Sequence, residues 1–327
     1  MKQSACLVRL FTILSALILS YSVQSQQSAE KYTRQTDYLL GLPDGYAGDT
    51  TQKWPLLIFL HGSGERGSDI EKVKINGVPK LLAKGKKLPF IVVSPQAKED
   101  EDGWETDHLF HLLQYIKTAY RVDPDRIYLT GLSMGGFGTW ALALNHPEEF
   151  AAIIPVCGGG DTSKAWRLRN TAVWCFHGAL DNVVPLAKDE QMINALRKYN
   201  PRVQFTVYPD MYHNSWERAY ENDSIYSWLL SQKKFSYKEI HADPGQLRKF
   251  TGTYRGAEGD TIRMTLDSSG LHAATKENSF LLKAAAGNTF FISPNMQVDL
   301  RFIPNSRGIF DSFIVYEETR TVYKRIH

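Results

Sequence analysis

Residues 127–136 read Ile127-Tyr128-Leu129-Thr130-Gly131-Leu132-Ser133-Met134-Gly135-Gly136, and the helical run Phe137–Leu144 follows directly. A short apolar strand enters a turn built on glycines, with a serine at its apex. Glycines on both sides relieve a turn too crowded for side chains, and the serine hydroxyl is thrust clear of the sheet. The helix that follows directs its positive N-terminal end at the same spot. This strand–turn–helix setting is what a G-x-S-x-G match needs to count as a nucleophile elbow.

On either side of that segment, from about residue 30 to 235, short apolar runs alternate with amphipathic ones. Pro55–Leu60, Phe90–Ser94, Ile127–Thr130, Ile153–Cys157, Ala172–Phe176 and Val203–Tyr208 read as buried strands. Leu109, Leu112, Leu113 and Ile116 fall at i, i+3, i+4 and i+7 and line one helical face. Further helices are predicted over Ala187–Lys198 and Ser215–Ser231. Strands alternating with helices imply βαβ crossovers, and near-continuous apolarity fits a mostly parallel sheet covered on both faces. The fold class is α/β.

A serine hydroxyl is a poor nucleophile at neutral pH, so it needs a base, and the base needs an orienting acid. For a serine on such an elbow, the acid and then the histidine follow in chain order. Asp181 lies just beyond the strand Ala172–Phe176, and His213 follows the strand Val203–Tyr208. Both stand beyond the carboxyl ends of strands, where open parallel sheets gather their ligands. Asp210 is the rival acid, being close to His213 in sequence, and His177 precedes Asp181 and breaks the order. Asp181 is preferred because the loop after the strand preceding the histidine's strand usually supplies the acid. The developing oxyanion needs N–H donors. His61-Gly62-Ser63-Gly64 follows the strand Pro55–Leu60, and the N–H of Ser63 or Gly64 pairs naturally with that of Met134.

Four segments match one known pattern in order: His61 through Gly67, Gly131 through Gly136, His177 through Pro185, and His213 through Trp216. On these motifs the chain, from about Tyr32 to Trp228, resembles an α/β-hydrolase. Within that fold it is similar to secreted bacterial esterases described as predicted peptidases or phospholipase/carboxylesterase-like proteins, related to feruloyl-type esterases. The resemblance implies a serine esterase with the catalytic residues Ser133, Asp181 and His213 and the oxyanion residues Ser63, Gly64 and Met134. A peptidase or amidase on the same fold is the alternative activity. Trp104 and Trp216 are candidate substrate contacts through aromatic stacking.

The chain carries 38 Lys+Arg against 35 Asp+Glu, a net +3 without long single-sign runs, which excludes a dedicated nucleic-acid binder. Three cysteines are too few for a disulfide scaffold or a multi-cysteine metal site; Cys157 and Cys175 could pair in an oxidising compartment, but two buried thiols is the preferred reading. No histidine, cysteine and carboxylate spacing calls for a metal, and Gly158-Gly159-Gly160-Asp161 lacks the context of a dinucleotide site, so no cofactor is expected. Residues 1–25 read as a signal peptide: Lys2 and Arg9, an apolar run from Leu10 to Leu19, then small residues to Ser25. Export to the periplasm or the extracellular space follows, with no integral membrane segment in the mature protein.

Residues 30–235 form the expected catalytic domain. After Lys233 the periodicity changes to short alternating runs separated by turn clusters such as Asp267-Ser268-Ser269-Gly270, which predicts a small all-β domain over residues 245–327. Each half holds its own apolar set, so the β domain is expected to be an independent module; in another reading it docks the enzyme on a polymer. The expected partner is a small or polysaccharide-linked ester substrate. Length and composition say nothing of the oligomeric state.

Overall fold

A computed structural model describes residues 35–294, 296 and 298–326; the signal-peptide reading therefore lies outside the described residues. Seven strands build the main sheet: β1 (Tyr38–Gly41), β2 (Trp54–Leu60), β3 (Ile91–Pro95), β4 (Val122–Leu132), β5 (Ala152–Val156), β6 (Ala172–Gly178) and β7 (Val203–Tyr208). Their order is β1-β3-β2-β4-β5-β6-β7, with β1 antiparallel to β3 and every other pair parallel. The alternation along β2 explains why the sheet must be covered twice. Leu56, Ile58 and Leu60 enter one core with Leu113, Ile116 and Trp140, while Leu57 and Phe59 enter another with Val78, Tyr220 and Leu229. Burying each such side chain contributes roughly 1.5–3 kcal/mol, so a one-residue slip of register would be heavily penalised.

The covering helices are α1 (Gly77–Ala83), α2 (Thr106–Ala119), α3 (Met134–Asn145), α4 (Ala187–Arg197), α5 (Trp216–Glu221) and α6 (Ser224–Ser231). The single helix expected over Ser215–Ser231 is two. Asn222 takes an extended backbone with ψ 106°, and its side chain accepts the Ser224 N–H at 3.0 Å, which ends one helix and opens the next. The central strand β4 also begins earlier than Ile127, where Val122 pairs with Trp54.

A short helix α7 (Pro244–Leu247) leads into eight strands: β8 (Gly252–Arg255), β9 (Thr261–Asp267), β10 (Gly270–Ala274), β11 (Ser279–Ala284), β12 (Thr289–Phe291), β13 (Asp299–Pro304), β14 (Phe310–Tyr316) and β15 (Arg320–Arg325). They close into an antiparallel barrel because β8 pairs with both β9 and β15. Closure removes the exposed edges of an open sheet. The interior is filled by Tyr254, Leu271, Phe290, Phe302 and Phe313, with Leu247 and Phe250 joining from the entry segment. Among the described residues, no helix is long and apolar enough to cross a membrane.

The barrel is joined to the α/β part by a buried polar anchor. Asp299 at the start of β13 is fully buried and accepts Arg169 Nε at 2.9 Å, a second Arg169 nitrogen, and Arg301 Nε at 2.9 Å. Trp166 packs against Ile314 and Tyr316, and the Arg169 guanidinium lies 4.8 Å from the centre of the Tyr316 ring. Residues 36–327 group as one compact unit.

Candidate active site

Ser133 sits between β4 and α3 with φ 53° and ψ −118°, a conformation that non-glycine residues rarely hold. Its neighbours make the turn possible. A Cβ on Gly131 would lie 2.3 Å from the Gly135 carbonyl oxygen, and one on Gly135 would lie 2.0 Å from that of Leu60. No side chain fits either position, so both glycines are required by close backbone approach. The Ser133 N–H is held by the Val156 carbonyl at 3.0 Å, which ties the elbow to the adjacent strand β5.

The three residues expected to act together are brought together. His213 Nε2 lies 2.9 Å from Ser133 Oγ, and His213 Nδ1 lies 2.8 Å from Asp181 Oδ2. The Asp181 side chain is fully buried, and its Oδ1 accepts the N–H groups of Val183 and Val184, both at 2.9 Å. Asp181 to Val184, just beyond β6, therefore form a turn that pins the carboxylate against the imidazole. Asp210 is turned away: it makes a two-pronged ion pair with Arg218 at 2.7 and 2.8 Å, which holds its carboxyl down at about 2. The Trp216 ring stands edge-on to His213, 5.1 Å between centres.

The loop expected to hold an oxyanion is a short 3-10 turn over Ser63–Glu65, with Ser63 and Gly64 exposed at its tip. Met134 opens α3, where first-turn N–H groups have no acceptor within the helix. The turn is fixed from below. Glu65 is buried and accepts Asn76 Nδ2, while Gln96 Nε2 donates to the Glu65 carbonyl at 2.8 Å. Arg66 bonds to the Ser63 carbonyl at 3.1 Å and the Glu101 carbonyl at 2.6 Å, rather than to Glu65. His61 is enclosed: Nε2 accepts the Ala97 N–H at 3.0 Å, Nδ1 donates to the Gly62 carbonyl at 2.6 Å, and burial pushes its pKa down to about 4. Trp104 braces the same loop, donating its indole N–H to the His61 carbonyl at 3.2 Å.

Exposed apolar side chains flank the three residues in sequence: Phe137 after the serine, Leu180 and Val183 around the aspartate, and Tyr212 before the histidine. A cavity of about 420 Å³ lies along α3, lined by Phe137, Ala141, Leu144, Gly159, Gly160 and Lys188. A larger groove of about 690 Å³ lies on the barrel from Pro244 to Asp267 and includes none of these residues. Cys157 and Cys175 are buried, unpaired thiols whose pKa burial pushes up. Cys157 brings its sulfur within 4.8 Å of ligand atoms of Asp181 and His213, the one such three-residue grouping among the described residues; the two are already bonded to each other.

Sequence reasoning placed Glu65 and Arg66 as an ion-pair clamp on this loop, whereas Glu65 pairs with Asn76 and Arg66 with backbone carbonyls; it missed Asn76, Gln96 and Asp189, and it set His177 aside. Asp189 reads as an ordinary acidic residue in the first turn of α4, yet it is fully buried and accepts Trp140 Nε1 at 2.8 Å. The strong apolarity of Ala172–Phe176 was the available signal that His177, the next residue, continues inside.

The fold defines the class of protein: an α/β-hydrolase followed by an antiparallel eight-stranded barrel. Residues 89–228 match the model of the phospholipase/carboxylesterase family, which bears out the resemblance to phospholipase/carboxylesterase-like proteins. The chain is 26% identical over 192 residues to a bifunctional acetylxylan esterase/xylanase of Neocallimastix patriciarum, covering 57% of this chain and 27% of that protein. It is 28% identical over 188 residues to poly(3-hydroxyalkanoate) depolymerase C of Paucimonas lemoignei, covering 52% of this chain and 43% of that one. The chain thus spans less than half the length of either curated relative. A solved thermostable esterase is 32% identical with a TM-score of 0.53, over 60% of this chain and 59% of that chain.

Proposed function

We propose that this protein is an exported serine hydrolase that cleaves carboxylic esters through Ser133, His213 and Asp181 by way of an acyl-enzyme. The observation that carries the reading is the unbroken line from Ser133 Oγ to His213 at 2.9 Å and from His213 to Asp181 at 2.8 Å, set on a strained elbow. Esterases among the relatives support the reaction class.

Ser133 attacks the ester carbonyl as His213 Nε2 takes its proton. Asp181, held by two backbone N–H groups, keeps the imidazole in the tautomer that presents Nε2 as acceptor and stabilises the imidazolium. The N–H of Met134 and that of Ser63 or Gly64 receive the oxyanion; losing one such donor typically costs about 100- to 1000-fold in kcat. His213 then protonates the leaving alcohol, and water repeats the sequence on the acyl-enzyme. This chemistry calls on no cofactor. The exposed apolar side chains of Phe137, Leu180, Val183 and Tyr212, near in sequence to the three residues, favour esters with an apolar acyl or alcohol part, small or carried on a polysaccharide. The leader over residues 1–25 supports export, and the catalytic domain over 30–235 with the accessory barrel over 245–327 completes the proposed organisation.

The test is hydrolysis of p-nitrophenyl esters of rising chain length, with methyl ferulate and acetylated xylan beside them. Ser133→Ala and His213→Ala should each lower kcat by about three orders of magnitude or more, with the double variant scarcely worse. Additive losses would mean that the two do not act as a unit.

A further inference from the structure

A second histidine stands behind Asp181, unused by the reaction just described. His177 is the penultimate residue of β6 and is fully enclosed. Its Nδ1 lies 2.8 Å from Asp189 Oδ2. Its Nε2 lies 3.0 Å from the Val184 carbonyl oxygen and 3.3 Å from Asp181 Oδ2, the same oxygen that faces His213. Asp189 is itself fixed, accepting Trp140 Nε1 at 2.8 Å and the Gly158 N–H at 2.9 Å.

A neutral imidazole has one donor nitrogen and one acceptor nitrogen. Both nitrogens of His177 face oxygen acceptors only, two carboxylates and a carbonyl. In either neutral tautomer one lone pair would point at oxygen lone pairs in a site closed to water, an unmade bond that is costly when buried. The doubly protonated ring satisfies every partner. We propose that His177 is held as an imidazolium between Asp189 and Asp181, and that it is a positioning residue for the acid of the triad. This rests on the proposed roles of Ser133, His213 and Asp181.

The electrostatics agree. Burial alone would lower the His177 pKa, but the hydrogen bond and charge of Asp189, the Val184 carbonyl and the charge of Asp181 together raise it above its ordinary value. The other titratable groups nearby are thiols: Cys157 feels Asp181 and Asp189, Cys175 feels Asp189, and burial keeps both protonated. The charges then alternate inward from the nucleophile: His213 positive once it has taken the proton, Asp181 negative, His177 positive, Asp189 negative. The inner cation gives Asp181 Oδ2 a second, fixed partner beside His213, which resists the carboxylate swinging off the imidazole.

Long-range ¹H–¹⁵N NMR on the full-length wild-type protein with labelled histidine tests the charge state directly. The expected result at pH 8 is one ring with both nitrogens protonated and two slowly exchanging N–H protons, which disappears in His177→Gln and turns neutral in Asp189→Asn. No doubly protonated ring at pH 8, or one that survives His177→Gln, overturns the proposal.

Kinetics on p-nitrophenyl acetate test the positioning role. Both variants should lose kcat by on the order of 10- to 100-fold. KM should stay within about twofold, since the group acts on chemistry rather than ground-state binding. Unchanged kcat, or a loss of kcat/KM carried by a rise in KM instead, overturns the positioning role. Fluorophosphonate labelling of Ser133 in the wild type separates the two layers: an unlabelled serine refutes the triad, whereas the NMR result stands on its own.

Discussion

Replacing Asp299 should cost more than any exposed-charge substitution in this protein. Its side chain is 0% exposed and that of Arg169 is 1% exposed, so Asp299→Ala leaves a guanidinium in the interior with its main counter-charge gone. Removing one partner of a buried pair costs about 3–5 kcal/mol. Arg301 is 34% exposed and can turn toward water, so the penalty falls on Arg169. The Tyr316 ring at 4.8 Å still attracts that cation, but such a contact returns only about 0.5–2 kcal/mol. Removing both charges, as Arg169→Met with Asp299→Ala, takes away the charge left without its main counter-ion and should recover most of the loss. Urea unfolding of the four proteins, followed by tryptophan fluorescence and far-UV circular dichroism, measures the cycle. The cost should also change little between low and moderate salt, because buried pairs are weakly screened. A penalty below about 1 kcal/mol for Asp299→Ala, or a double variant as unstable as the sum of the singles, would refute a buried ionic anchor between barrel and sheet.

Two further outcomes are expected. A chain ending at Asp243 should keep turnover of a small soluble ester within about tenfold in the cold, since the proposed catalytic residues all precede it; it should melt well below the full chain because Trp166 and Arg169 lose their cover, and a truncated protein that folds yet is inactive would place the barrel in the active site. Acid should destabilise the fold through His61: its folded value is about 4 against 6.5 when unfolded, so between those pH values the unfolded chain binds a proton that the folded one refuses. Stability therefore falls as pH drops through that window, by about 3 kcal/mol in all. His177, raised rather than lowered, acts with the opposite sign, stabilising below its unfolded value and losing that contribution as pH rises through its folded value. Urea midpoints of wild type and His61→Asn from pH 4 to 7 check the sign, and identical slopes would contradict it.

The parts legible in the sequence were local. Leu56 through Leu60 show by continuous apolarity that both faces of a strand are buried, and the glycines around Ser133 mark the elbow because only close backbone approach demands them. Chain order preferred Asp181 to Asp210; in the structure Asp181 takes the bonds of Val183 and Val184 and faces His213, while Asp210 pairs with Arg218. The break at Asn222-Asp223 was readable in principle, since an Asx residue before a serine can cap a new helix, but the apolar spacing on both sides concealed it. What stayed hidden was non-local. Asp299 and Arg169 lie 130 residues apart, and neither carries a mark of its partner. Asp189 looks like a helix-start acid until α4 is seen to press it against β6. The closing of the barrel by β8 and β15 likewise joins the two ends of the domain, which turn signals cannot announce.

The most direct measurement is the intact mass of the protein quenched during steady-state hydrolysis of a slow p-nitrophenyl ester, followed by peptide mapping. The account predicts a mass increase equal to one acyl group, located on Ser133, accumulating with a burst of p-nitrophenol and absent in Ser133→Ala. Turnover at an undiminished rate by Ser133→Ala, or an acyl group found on any other residue, would contradict it.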